Sequence, residues 1–150
     1  MSFVYSFQKL LDLKEKEKEQ AQMGYAKSRE ALEQEDARLQ KLVQDKVQMQ
    51  RVIYQKTEAN ITMADLRNSY EYLDHMQQLI IKAHHTRAEA EQVMRHQQEA
   101  LQQKALDEKV WKKLKENSHM QYTEKLKQQE QKELDEMAVA RYFRQHVRPR

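Results

Sequence analysis

Two residues could do chemistry together in this sequence. His85 and Glu89, four apart, would face the same side of a helix and could share a metal ion. No third ligand lies within reach, and neighbouring His84 would point elsewhere, so a solvated surface pair is the better reading. Composition closes the other routes to catalysis. There is no cysteine, and the remaining nucleophile candidates are scattered Ser and Thr without a His–Asp constellation. Gly24 is the single glycine, which rules out a Gly-rich phosphate loop. Carboxylates are abundant but alternate with lysines at helical spacing, as in KEKEKE at residues 14–19, the pattern of a salt-bridged, solvated face. The sequence offers no catalytic, metal or cofactor-binding residue and points away from an enzyme.

What must position these side chains is helix. Of 150 residues one is Gly and one Pro, leaving almost no turn chemistry, and 34% are charged with both signs mixed. Gln, Glu, Lys, Leu, Ala, Arg and Met dominate, and these lose little side-chain entropy in a helix. Such a composition indicates an all-α chain of coiled-coil type, provided its apolar residues are periodic. Absence of cysteine suits a reducing compartment. No apolar run approaches the roughly 20 residues of a membrane span. The start MSFVYSFQKLLDL lacks the basic region and cleavage site of a signal peptide, so the expected location is cytoplasmic. A net charge of +3 is too small to argue for nucleic acid. Only the tail is locally basic: from Met137 onward Arg141, Arg144, Arg148 and Arg150 have no acid among them.

The periodicity is present. Steps of three and four from Leu11 visit Lys14, Lys18, Ala21, Tyr25, Ser28, Leu32, Glu35, Leu39, Leu42, Lys46, Met49 and Ile53. That 3.5-residue repeat is a seam another helix must cover. Its lysines and Glu35 loosen the packing. Gly24 lies inside this helix at a cost of about 1 kcal/mol relative to Ala, either admitting a bulky neighbour or simply tolerated. In EANITMADLRNSY, Thr62 reads as an N-cap with Asp65 three residues on, and Ile61 and Leu66 stand at the staple positions. Asn60-Ile-Thr62 also spells a glycosylation sequon, without meaning in a cytosolic chain. The step then resumes through Leu66, Ser69, Leu73, Met76, Ile80, Ala83, Arg87, Ala90, Met94, Gln97 and Leu101. After Leu101 the apolar residues move to Leu106, Val110, Trp111 and Leu114, as after a stutter.

One hairpin over the whole chain follows: a first helix over about residues 3–59, a bend at about 60–62 and a longer second helix over about 63–146. So short a bend makes the helices antiparallel. Facing residues then have numbers summing to about 122, which sets Trp111 against Leu10, Leu11 and Leu13. The first helix runs out near residue 118 of the second, and from about 119 onward no internal helix is available. There Leu126, Leu134, Met137, Ala138, Arg141 and Tyr142 share one face, which is met by an external partner or frays. Near the bend, Tyr70, Tyr72 and Leu79 flank the seam beside Leu42, Met49 and Met76, as partner anchors or as a wider internal stripe.

FQKLLDLKEKEKEQAQ near the N-terminus, the single bend, LKE following Trp111 and EQKELDEMAVARYF near the C-terminus resemble the FliJ family of the bacterial flagellar type III export apparatus. The resemblance covers nearly the whole chain and is sharpest in EQKELDE at residues 130–136 with the apolar stretch after it. It implies a coiled coil similar to the central stalk of rotary ATPases. The paired termini would enter the hexameric export ATPase, and the bent end would reach the cytoplasmic domain of the export gate at the membrane. Promotion of ATPase assembly and binding of export chaperones are implied as well. The residues so assigned to the ATPase ring are Glu133, Leu134, Asp135, Glu136, Met137, Ala138, Arg141, Tyr142 and Arg144. Those assigned to the gate are Leu42, Tyr72, Met76 and Leu79. The expected protein is a monomer when free, peripheral to the cytoplasmic face of the membrane, without cofactor or nucleic acid. A virulence-secretion stalk and a dimeric adaptor coiled coil are the alternatives.

Overall fold

The computed structural model describes residues 2–146. Two long helices pack against each other as a hairpin, α1 over Gln8–Glu58 and the longer α2 over Met63–His146. The link between them is short. Asn60 takes the left-handed conformation, φ 62°, which Asn tolerates and which ends a helix. Thr62 then caps α2: its Oγ1 accepts from the Asp65 N–H at 3.2 Å while its carbonyl accepts the first helical bond from Leu66. Ile61 and Leu66, at the staple positions, are both half-buried.

By density of contacts the chain divides into two units: Lys18–Lys104, which holds the bend, and the residues up to Glu17 together with those from Ala105 onward. In the bend unit every seam position read from the sequence is buried or half-buried, with Ile53, Met76, Ile80 and Ala83 the most covered. Three polar seam positions find partners, whereas Glu35 Oε2 is buried without a hydrogen-bond partner. Lys46 donates to Gln77 Oε1, Arg87 pairs with Asp36, and the Ser28 hydroxyl donates to the Tyr25 carbonyl at 2.7 Å. Gln97 lies over Gly24, its Oε1 placed where a Cβ would come within 2.8 Å. Gly24 therefore does admit a neighbour.

In the terminal unit the stutter does not occur. α2 continues in step through Lys104, Glu108, Trp111, Lys115, Ser118 and Tyr122, which are the covered positions. Glu108 is 5% exposed, whereas Leu106 and Val110 are each 57% exposed and Leu114 is exposed too. The covered side there is taken by the rings of Trp111 and Tyr122, met by Phe7 and Phe3, and the three aliphatic side chains stay outside. α1 also begins at Gln8, not at residue 3. The aromatic and β-branched run Phe3-Val-Tyr-Ser-Phe7 has poor helix propensity and lies instead as a short strap. The Phe3 ring meets His119 edge-on at 5.0 Å and Tyr122 at 5.5 Å, Tyr5 is buried, and Phe7 sits 5.8 Å from the Trp111 ring. Leu11 is covered as expected, but Leu13 faces out and Phe7 takes the place beside Trp111.

Candidate functional site

Within the terminal unit the covering of α2 stops at Thr123, and every described residue from 124 to 146 is exposed. At 1.5 Å per residue this is about 34 Å of single helix. Its residues are strong helix formers, and side-chain bonds such as Gln131 Nε2 to Asp135 Oδ1 at 3.0 Å support it locally. Leu134, Met137, Ala138, Arg141 and Tyr142, with Gln145, line one shallow groove along this helix. Five of the six residues read from the sequence as one face thus line the groove, Leu126 lies outside it, and Gln145 joins one turn after Tyr142. The Tyr142 ring stacks on His146 at 4.2 Å and meets Phe143 edge-on, while His146 Nδ1 lies 3.1 Å from the Tyr142 carbonyl oxygen. Val139 and Phe143 are exposed as well. Glu133, Asp135 and Glu136 stand about its N-terminal end and Arg144 near its C-terminal end, all exposed, so acid lies toward one end and base toward the other. Arg148 and Arg150 lie outside the described residues.

In the bend unit, Tyr72 and Met76 line a groove with Met49, Val52, Asp45 and Gln48. Met76 is 5% exposed and forms its floor, whereas the Tyr72 side chain is open to solvent. Leu42 in the seam and Leu79 beside it are half-buried at facing positions. A second groove carries Tyr54, Tyr70, Ile53 and Leu73, and Met63 is exposed at the start of α2. Tyr54 and Met63 went unnoticed in the sequence because both lie off the seam step. The available signals were the antiparallel pairing that sets Tyr54 near Tyr70 and the seven-residue spacing of Met63 and Tyr70 along α2.

His85 Nε2 lies 3.1 Å from Glu89 Oε1 on an exposed face, and no group of three or more potential metal ligands exists among the described residues. The other charge clusters are structural. Asp36 accepts from Arg87 and raises the pKa of that guanidinium, and Glu91 joins Arg87 to Arg95. The hydrogen bond from Lys112 to Glu108, at 2.6 Å, raises the lysine's pKa. No described helix is long and apolar enough to cross a membrane. The arrangement presents helix faces and grooves, with a thin core and no enclosing cavity at either surface.

A family model described as "Flagellar FliJ protein" matches residues 3–146. The chain is 23% identical over 143 residues to the Flagellar FliJ protein of Bacillus subtilis (strain 168), covering 95% of this chain and 97% of that one. No solved structure matches it significantly.

Proposed function

This chain belongs to the FliJ family of flagellar proteins, and we propose that it serves the flagellar protein export apparatus as a non-catalytic stalk linking the export ATPase ring to the membrane export gate. The observation that carries the reading is the bare end of α2: a single amphipathic helix with a lined groove and no covering chain. An exposed apolar face of this kind is stabilised by a partner. A helix about 10–12 Å across suits a narrow opening at the centre of a ring. In this reading Leu134, Met137, Ala138, Arg141 and Tyr142 pack against the inner wall. Glu133, Asp135, Glu136 and Arg144 set register by charge. The gate contacts the bend unit through Tyr72 and the edges of Leu42 and Leu79, with Met76 supporting Tyr72 from beneath. Export chaperones are further partners, and the protein acts at the cytoplasmic face of the membrane without entering it.

The test uses the purified cognate export ATPase. Added full-length protein raises its hydrolysis rate and favours its hexamer. Deleting residues 134–150 abolishes both effects while leaving the helical signal of the bend unit in place. Equal stimulation by the truncated and full-length proteins, or none by either, would sink the stalk reading.

A further inference from the structure

Residues 2–7 cover a part of α2 that no helix covers. Across the terminal unit Lys14 meets Asp107, so Gln8, the first residue of α1, faces about residue 113 of α2. Lys115, Ser118, Tyr122 and Thr123 lie beyond that point and are nonetheless half-buried. The strap is the only other described segment there, and an extended chain of its length reaches about 20 Å, enough for the stretch. Cover on α2 ends at Thr123, next to the Tyr122 ring that Phe3 meets.

The strap is lightly held. Among the described residues no backbone bond ties it to α2: Gln8 N–H donates to the Tyr5 carbonyl and Leu11 N–H to that of Phe7, both leading into α1. Its hold is a few rings, Phe3 on His119 and Tyr122 and Phe7 near Trp111, while Val4 is 81% exposed and Phe7 54%. Tyr5 is the one buried strap residue, and its hydroxyl is buried without a hydrogen-bond partner. Burying that group unpaired opposes closure and offsets part of what the ring gains. So few contacts, made by a chain end, put the strap among the first parts of the molecule to open.

We propose that residues 2–7 are a detachable cover that competes with the partner of the bare helix. A partner that encircles α2 and advances from its free end meets the strap at Tyr122, where the strap adds a second segment to the cross-section of the helix. Lifting the strap frees about ten further residues, about 15 Å of helix continuous with residues 124–146. The closed strap lowers affinity for that partner: the apparent dissociation constant is the intrinsic one divided by the fraction of chains with the strap open. For the partner's identity, the ATPase ring, this inference rests on the stalk reading.

Two full-length variants move the strap in opposite directions. Tyr5→Phe keeps the ring and removes the unpartnered hydroxyl, which favours the closed strap. Phe3→Ala removes the ring contacts to His119 and Tyr122, which favours the open one. Trp111, the sole tryptophan, lies beside Phe7, so acrylamide quenching of its emission in the free protein reads the strap. Quenching is expected to fall below wild type in Tyr5→Phe and to rise above it in Phe3→Ala. Binding to the fluorescently labelled cognate export ATPase, followed by anisotropy, should weaken about fivefold for Tyr5→Phe and tighten about fivefold for Phe3→Ala. Circular dichroism confirms that both variants keep their helices. Equal binding by wild type and both variants, or weaker binding by Phe3→Ala, overturns the strap proposal and leaves the stalk reading in place. No binding by any of the three overturns both. Quenching indifferent to both substitutions overturns the strap proposal as well.

Discussion

Replacing Gly24 by Ala separates two opposing effects at one seam position. Glycine in a helix interior costs about 1 kcal/mol relative to alanine, so the substitution gains up to that amount. Against it, the new Cβ would sit 2.8 Å from Gln97 Oε1 and 3.6 Å from its Cδ, closer than the contact allows for the oxygen. The obstacle is the far end of a flexible side chain, which turns aside for about 0.5 kcal/mol, the order of a strained rotamer. The net is a stabilisation of about 0.5 kcal/mol, and about 1 kcal/mol when Gln97 is also Ala. Thermal melts followed by circular dichroism, on the four proteins of the G24A and Q97A cycle, read both values and their coupling. If G24A lowers the melting temperature in both backgrounds, the close approach at Gly24 is not made by the Gln97 tip and the reasoning fails.

Three further outcomes follow from the packing. Thr62→Ala removes the side-chain acceptor for the Asp65 N–H and should cost about 1 kcal/mol, with Thr62→Gly costing less, read from urea unfolding curves. Lys112 has its pKa raised above the ordinary 10.5 by the Glu108 hydrogen bond, so the pair's contribution is present in full below that value and is lost as pH rises through the folded pKa. The stability difference between wild type and Lys112→Gln should therefore be flat through neutral pH and shrink only in strong alkali; a difference already shrinking near neutrality would contradict it. Removing everything after Thr123 should leave the unfolding free energy from urea melts within about 0.5 kcal/mol of wild type, since every residue from 124 to 146 is exposed. A larger loss would mean that this helix packs on the rest of the protein.

Much of the hairpin was legible because its signals were redundant. The three-four step from Leu11 to Ile53 and from Leu66 to Leu101, the Thr62 cap and the sum of facing positions near 122 all agree with one register. Asp36 with Arg87, Lys46 with Gln77 and Gly24 with Gln97 sit where that sum places them. The misreading after Leu101 has a physical cause. Placing Leu106, Val110 and Leu114 inside assumes that aliphatic residues always win the seam, but there the rings of Trp111 and Tyr122, met by Phe7 and Phe3, take the covered side. The strap was not read from the sequence, where the first helix starts at about residue 3; Phe3, Tyr5 and Phe7 have low helix propensity and pack their rings outside the helix. Of the face read from the sequence, Leu134, Met137, Ala138, Arg141 and Tyr142 line one groove and Leu126 does not, since a lone helix follows only its own spacing. What occupies it is not encoded in spacing at all, and the family supplies the candidate.

The central claim is that the bare end of α2 docks in the export ATPase ring. The chain has no cysteine, so single cysteines can be introduced along residues 124–146 and labelled with a benzophenone photocrosslinker. With the cognate ATPase hexamer, crosslinking should peak at 134, 137, 141 and 142, with weaker signal from the opposite side of the helix. ATPase binding with no crosslink from any position on this helix would contradict the account.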